Sequence, residues 1–417
     1  MPAGGVLATL LFAPDLADAA KCGGDRECEC GDRVVQSYRL PRDLGPCPEG
    51  GLEVAAAVEL DGGGHTINGS GKGYGVKVGP AGNGSQVRNL RLTGFQVGFR
   101  LQEASGVRVE NVEAFKNGDR TKHEGYGFDL AQGASKNVLS RVRVHDNADE
   151  GIHVGAYAHA NRIVESEIWN NYRENVYFLA NRSSRLERSQ LRSPGQGAAN
   201  VYIKFSRDSV LDGNRIEGGT VQIRGACEGT QLVNNTLTDT SVVLQSQKDK
   251  RFGSGEPSHS RIRGGKIAVD GSCIRIEAGD DVEIDGTDLR CRDAVAIQGG
   301  SDVALRDVDN ESIRCTGPGR ASRLRSVDVR FVDGRGKPIS GARLQSRSGK
   351  TLGTAEPDGR YRGRVEVAQL DCPAGEWTPV SDVIAAADGR QQVVAIDKLR
   401  GNVAIASAPA KAPSAKR

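Results

Sequence analysis

The sequence predicts an all-β chain wound as a single-stranded parallel β-helix of about ten coils, with an N-terminal cap and a small C-terminal β-sandwich. Three observations predict it. The first is a recurring apolar–x–apolar pair: Val76/Val78, Phe99/Leu101, Phe128/Leu130, Ile152/Val154, Val176/Phe178, Val201/Ile203, Val221/Ile223, Val242/Leu244, Ile274/Ile276 and Val295/Ile297. Successive second members lie 23, 29, 24, 24, 25, 20, 21, 32 and 21 residues apart, the period of a solenoid. The second is the content of one period. Between Ile152 and Asn175, Ile152/Val154, Ile163 and Ile168 mark three short strands separated by Gly, Asn and Ser turns, with no Leu-x-x-Leu-x-Leu pattern or helical spacing. The third is composition: 55 glycines, one methionine and 5% aromatic residues suit tight turns and stacked branched side chains.

The elements follow in order. Residues 1–20 read as a signal peptide, with an apolar run from Val6 to Phe12 and Ala17-Asp18-Ala19 in small-x-small form; the positively charged start is missing, so the start is read as truncated. Residues 21–60 read as the cap, because an open coil end exposes backbone groups to edge pairing. The coils occupy 61–316. Beyond Gly317-Pro318-Gly319 the period breaks, and 320–405 alternates apolar and polar residues between Gly and Pro turns, as a β-sandwich does. The Ala/Pro/Lys/Ser tail, 406–417, is expected to be disordered.

Net charge is +3 over 417 residues, which argues against a dedicated nucleic-acid binder, and beyond the leader no stretch approaches a membrane span. Nine cysteines without paired Cys-x-x-Cys motifs read as disulfide staples, drawn from Cys22, Cys28, Cys30, Cys47, Cys227, Cys273, Cys291 and Cys315, with one thiol left over by the odd count. Secretion or export to the periplasm follows from the leader and these cysteines, and a monomer is expected.

"ELDGGGHTINGSGKGYGVKVG", "VRNLRLTGFQVGFRL" and "HDNADEGIHVGAYAHANRIVESEIWNNYREN" resemble the secreted right-handed β-helix proteins of the pectin-lyase-like superfamily, over roughly residues 50 to 315. Residues 327–367 are similar to the carboxypeptidase-regulatory-like, transthyretin-like sandwich, a module that is usually accessory or adhesive. The first resemblance implies a right-handed coil and a substrate lying on the sheet that follows the long turns. It leaves the activity open, because the superfamily holds lyases, hydrolases, epimerases and binding proteins.

The site is therefore argued from residues. In an apolar–x–apolar strand the middle side chain faces outward. Those middle positions read Arg100, Asp129, His153, Tyr177, Tyr202, Gln222, Val243, Arg275 and Ala296. At the spacing of adjacent strands, Asp129 to Tyr202 forms a ladder roughly 14 Å long. Lys204 and Arg224 lie two positions further along, and Asn175 and Asn200 two positions earlier. The long turns 116–125 and 248–260 are expected to precede strands of this sheet and to wall a groove.

Eliminating a uronate needs a base for the C5 proton, an acid for the leaving oxygen and a cation for the adjacent carboxylate. His153, Tyr177, Tyr202 and Lys204 supply the catalytic types; Asp129, Asn175, Asn200, Arg224 and Gln222 supply substrate contacts. The function this supports is a carbohydrate-active protein, a lyase or C5-epimerase acting on an acidic, uronate-containing polysaccharide. Two alternatives stand beside it: a non-catalytic surface or matrix protein that binds glycans, and a glycoside hydrolase. Asp146, Asp149 and Glu150 beside His145 offer oxygen ligands to Ca²⁺, but a solvated turn is the reading taken. No metal is assigned, and calcium is kept only as an option. Gly279-Asp280-Asp281 resembles a hydrolase's paired aspartates but falls on a turn away from the ladder.

Overall fold

The computed structural model describes residues 19–122, 124–192, 199–373, 375–399 and 401–405. The leader through residue 18 and the tail from 406 lie outside the described residues.

The apolar pairs decide the architecture. Each buries two side chains on the inner face of a short strand, and the chain then turns twice to lay down two more strands. One coil is Ile152–Val154, Arg162–Val164 and Glu167–Trp169. Coils stack in parallel register, so three sheets run along the solenoid. The first holds fourteen strands, of which the ten with apolar pairs are the middle ones. Lys21–Cys22, Arg33–Val34, Leu52–Val54 and Ile313–Cys315 extend it at the ends, so the stack exceeds the ten coils read from the pairs. The segment expected as a cap thus continues the stack as short coils, stapled by Cys22–Cys28 and Cys30–Cys47.

A continuous apolar column fills the solenoid from Cys22 to Val308, and Ala321 and Leu370 pack on its end. Fully burying one Val, Leu, Ile or Phe contributes about 1.5–3 kcal/mol, so the column dominates stability. Within it Phe99 stacks on Phe128 with centroids 5.4 Å apart. Asparagines close the corners. Asn117 donates its side-chain amide to the Leu92 carbonyl and to Asn147 Oδ1, Asn147 repeats this with Ala114 and Asn171, and Asn171 reaches the Val144 carbonyl and Asn175 Oδ1. A polar group buried this way is stable because each of these amides finds acceptors on neighbouring coils or along its own corner. At the corner between the second and third strands, Asn89, Asn111, Arg141, Glu165, Arg188 and Asn234 adopt φ between 46 and 53°. One left-handed residue there turns the chain sharply enough to begin the third strand.

Gly319–Val332 leaves the solenoid. Its first half pairs in parallel with Asp302–Arg306, and along its length it pairs antiparallel with Arg360–Cys372. A second sheet, with strands ordered Thr351–Thr354, Arg343–Gln345, Asp382–Ala387 and Arg390–Ala395, encloses a separate apolar core with it around Phe331, Leu344, Val365 and Val383. Arg364 ties this unit to the last coils through Asp285 at 2.6 Å.

The cysteine pattern is corrected in one respect. Cys273 pairs with Cys291, but Cys315 pairs with Cys372, and Cys227 is the free thiol. Cys227 faces inward, where its Sγ donates to the Arg224 carbonyl at 3.1 Å and burial pushes the thiol up to about 11. A cysteine on the inner face of a coil behaves as a small apolar residue. The turn at 248–260 is also corrected. It follows the first-sheet strand Ser241–Gln245 and, as the hairpin Gln247–Asp249/Gly253–Gly255, leads into the second sheet. No helix among the described residues is long and apolar enough to cross a membrane.

Candidate functional site

The register of the first sheet places the expected ladder residue by residue. Arg100 pairs with Asp129, Asp129 with His153, His153 with Tyr177, Tyr177 with Tyr202, and Tyr202 with Gln222. The column then runs through Val243 and Arg275 to Ala296. Strand spacing brings the rings into contact. The His153 and Tyr177 centroids are 5.5 Å apart, and Tyr177 and Tyr202 stack at 5.0 Å with planes 11° apart. Tyr126, from the turn before Phe128–Ala131, stacks on His153 at 5.0 Å.

Asp129 fixes the histidine. It is buried, accepts from the Arg100 guanidinium, and lies 3.0 Å from His153 Nδ1. That bond places the Nδ1 proton toward Asp129 and leaves Nε2 for other work. Burial works against a charged ring, yet the Asp129 hydrogen bond and the charges of Asp129, Glu150 and Asp149 outweigh it and hold His153 above its ordinary value. Burial raises Tyr177 well above the normal phenol range, with the Tyr202 and Glu150 charges adding to it. Tyr202 is raised chiefly by burial too, against the pull of Arg224, whose guanidinium lies 3.4 Å from its hydroxyl.

On the C-terminal edge of these strands, Lys204 and Arg224 are register partners. Lys204 Nζ is 3.1 Å from Asp249 on the hairpin, which draws that loop over the edge of the sheet. Gln222 donates to Thr220 Oγ1.

Not every expected residue is at this face. Asn175 and Asn200 are withdrawn as substrate contacts. Each precedes its strand by one residue, where the chain is still turning, and both point inward and are fully buried. Asn175 donates to the Arg192 carbonyl and to Asn200 Oδ1, and Asn200 donates to the Glu217 carbonyl. The acidic trio is also divided. Asp146 lies beside His145 on the third sheet, with 2.7 Å between its carboxylate and Nδ1. Asp149 and Glu150 are buried beside the ladder instead.

The sequence reading missed a second column there. Three positions before Asp129, His153 and Tyr177 stand Tyr126, Glu150 and Glu174, so the same register aligns them on consecutive coils. Arg173 reaches Asp149 and Glu150 at 3.4 Å and Glu174 at 3.5 Å. One cation serves three buried carboxyls, and the Oε2 atoms of Glu150 and Glu174 have no hydrogen-bond partner. Burial, then the Asp149 charge, pushes Glu150 up to about 7. Burial likewise raises Asp149 and Glu174 against the pull of Arg173. The signal was available: extending the strand alignment back by three residues exposes it.

Perturbed groups concentrated on one face of a scaffold make that face a candidate functional site. The class this defines is a parallel β-helix bearing a histidine–tyrosine ladder flanked by buried acids on one edge and cations on the other. Residues 74–288 match the sequence model of the "right handed beta helix region" family, and the chain belongs to that family. No curated protein matches the chain. Among solved structures it is similar to the catalytic domain of a GH87 alpha-1,3-glucanase (12% identity, TM-score 0.34), covering 72% of this chain and 66% of that one, just under two thirds. An alginate lyase from Paenibacillus sp. is similar at 15% identity, with 71% of this chain and 97% of that one covered and a TM-score of 0.40. The A-module of a mannuronan C-5 epimerase from Azotobacter vinelandii follows at 12% identity, 70% and 88% coverage and a TM-score of 0.38.

Proposed function

We propose that this is an exported carbohydrate-active β-helix protein that moves protons on a uronate-containing polysaccharide, as a lyase or a C5-epimerase. The observation that carries it is the ladder itself: His153, with Nδ1 held by Asp129, lies against Tyr177, and Lys204 and Arg224 lie along the adjacent edge. Neutral His153 takes the C5 proton at Nε2, the C4–O bond breaks as the C4–C5 double bond forms, and the Tyr177 hydroxyl protonates the departing oxygen. Lys204 and Arg224 neutralise the uronate carboxylate, stabilising charge that develops at C5. An epimerase returns the proton to C5 from the opposite face instead. Both upward shifts fit one window: above the raised value of His153 the base is free, while Tyr177 stays protonated to a still higher pH. Four disulfides support the export reading.

The test is ultraviolet absorbance against pectate, alginate and glycosaminoglycans, with and without calcium. A rise from unsaturated uronate that disappears in His153→Ala supports the lyase. A flat trace with proton exchange at C5, seen by NMR in D₂O, supports the epimerase; neither signal sinks the proposal.

The burial of Asp129 and Tyr177, 3% and 8% exposed, favours a second reading. In it the ladder is a rigid glycan-binding surface, and the C-terminal sheets serve as an attachment module. The raised Glu150 supports the hydrolase alternative, since a carboxyl protonated near neutral pH is the acid such an enzyme needs.

A further inference from the structure

Beyond the ladder, the C-terminal rim of the first sheet carries one large ring that packing does not explain. Tyr157 is 67% exposed, the most open of the large hydrophobic side chains among the described residues. It stands four residues after His153, in the turn that leads to the second sheet, and its φ is +66°. Left-handed backbone disfavours any residue with a Cβ, and a bulky aromatic is an uncommon occupant of it. Nothing about the turn itself requires a ring there.

The neighbouring coils complete the picture. The bridges from His159 to Arg182 and from Arg182 to Arg207 place Ala180 beside Tyr157 and Phe205 beside Ala180. Both continue the left-handed rim, with φ of 45° and 51°. The Tyr157 amide donates to the Ala180 carbonyl at 3.1 Å, which locks the turn to the next coil. Phe205 is held differently from Tyr157: its ring packs against Phe252 of the hairpin at 5.7 Å and leans over Gly225, where a Cβ would come within 2.6 Å of Cε1. Phe205 therefore leans away from Ala180. Two coil spacings, about 9.6 Å, separate the Tyr157 and Phe205 positions, with only a methyl group between them.

We propose that Tyr157 and Ala180 form a sugar-ring subsite, in which the C–H face of a pyranose lies on Tyr157 over the floor made by Ala180, with the buried Phe205 only closing its far end. Aromatic faces are electron-rich and recognise such C–H edges, and ligand sites are typically lined by aromatics with a few polar groups. The occupant is a uronate of the same polysaccharide chain whose neighbouring unit lies at His153. The subsite rests on the carbohydrate reading given above, but it does not require that the protein perform elimination.

The experiment is isothermal titration calorimetry of tri- to hexameric oligogalacturonate and oligomannuronate on the full chain carrying His153→Ala, so that no turnover intervenes. Adding Tyr157→Ala is expected to weaken binding roughly five- to tenfold, the size of one aromatic contact, while Tyr157→Phe stays within about twofold. Ala180→Leu, which fills the floor, is expected to weaken binding as Tyr157→Ala does. Equal affinity in parent and Tyr157→Ala overturns the subsite, and so does the failure of every oligosaccharide to bind the parent. An absence of elimination and exchange by the unmodified protein removes the reaction instead, and leaves the calorimetric comparison standing.

Discussion

Two stacks of rings run along this solenoid, each centred on a histidine that touches a carboxylate. On the third sheet Phe115, His145 and Trp169 stack at 5.4 and 4.2 Å, and His145 meets Asp146 at 2.7 Å and Glu113 at 3.1 Å. On the first sheet Tyr126 stacks on His153 at 5.0 Å, Tyr177 lies tilted against it at 5.5 Å, and His153 meets Asp129. Any outward ring repeated at the coil period gives such a stack, so stacking alone does not mark a site. The surroundings separate the two. Around His145 burial raises Glu113 and Asp146, but hydrogen bonds from His145, joined by Arg91 and Arg143 at Glu113 and by Asn170 and Lys116 at Asp146, more than offset it, and both end below their ordinary values. Arg91, Arg143 and Arg192 lie over the flanking rings as well. Both acids there have close partners. Around His153 three buried carboxyls share Arg173 and are all raised. The first arrangement is what stability asks for; the second holds groups in a state that folding alone disfavours.

That contrast can be broken most directly through activity. His153→Ala or Tyr177→Phe is expected to lower turnover of the responsive polyuronate by about 10²–10⁴-fold, the contribution of a general base or acid. His145→Ala is expected to stay within about twofold in the same absorbance assay, and equal losses at both histidines would remove the distinction.

Stability offers the next largest effect. With its value raised to about 7, Glu150 favours the folded state while protonated; that contribution is full below the ordinary carboxylate value of 4.5 and is lost as pH rises through about 7. Glu150→Gln keeps the neutral form at every pH. It is expected to stabilise the protein at pH 8 by on the order of 2–3 kcal/mol and to change little at pH 4, measured by denaturant unfolding. Asp146→Asn on the other stack has the opposite sign. Its lowered value contributes stability above the unfolded carboxylate value that is lost as pH falls through the folded one, so the variant is expected to unfold more easily at pH 7.

Trp169→Ala is expected to cost about 1–2 kcal/mol through lost packing while leaving activity unchanged, because that ring is half-buried and serves only the stack. The smallest effect sharpens the picture at His153. Removing the Glu150 charge lowers the histidine's value, so the acid limb of the pH–rate profile in Glu150→Gln should move to lower pH. A limb that does not move would mean that Glu150 is not coupled to the histidine.

Much of this was legible beforehand. The apolar pairs fixed the register because a one-residue slip would turn every Val and Ile outward, and all the outer positions from Arg100 to Ala296 therefore fell where the alignment put them. Asn175 and Asn200 failed because alternation holds only inside a strand; one residue earlier the backbone is turning and the side chain goes to the core. Cys227 failed because spacing does not reveal which cysteines come within bonding distance; Cys273 is just as buried and is paired. Glu150 was seen as a turn acid, since its burial depends on Tyr126, Arg173 and Glu174 arriving from neighbouring coils.

The sequence by itself determined the coil, its period, the face each strand residue takes and thus the order His153–Tyr177–Tyr202, because a two-residue alternation leaves no freedom once one face must be dry. Only the tertiary structure decided which cysteines meet, which asparagines turn inward, and which carboxyls share one arginine. Those outcomes depend on distances between coils and on access to water, and neither is written in the order of residues along the chain.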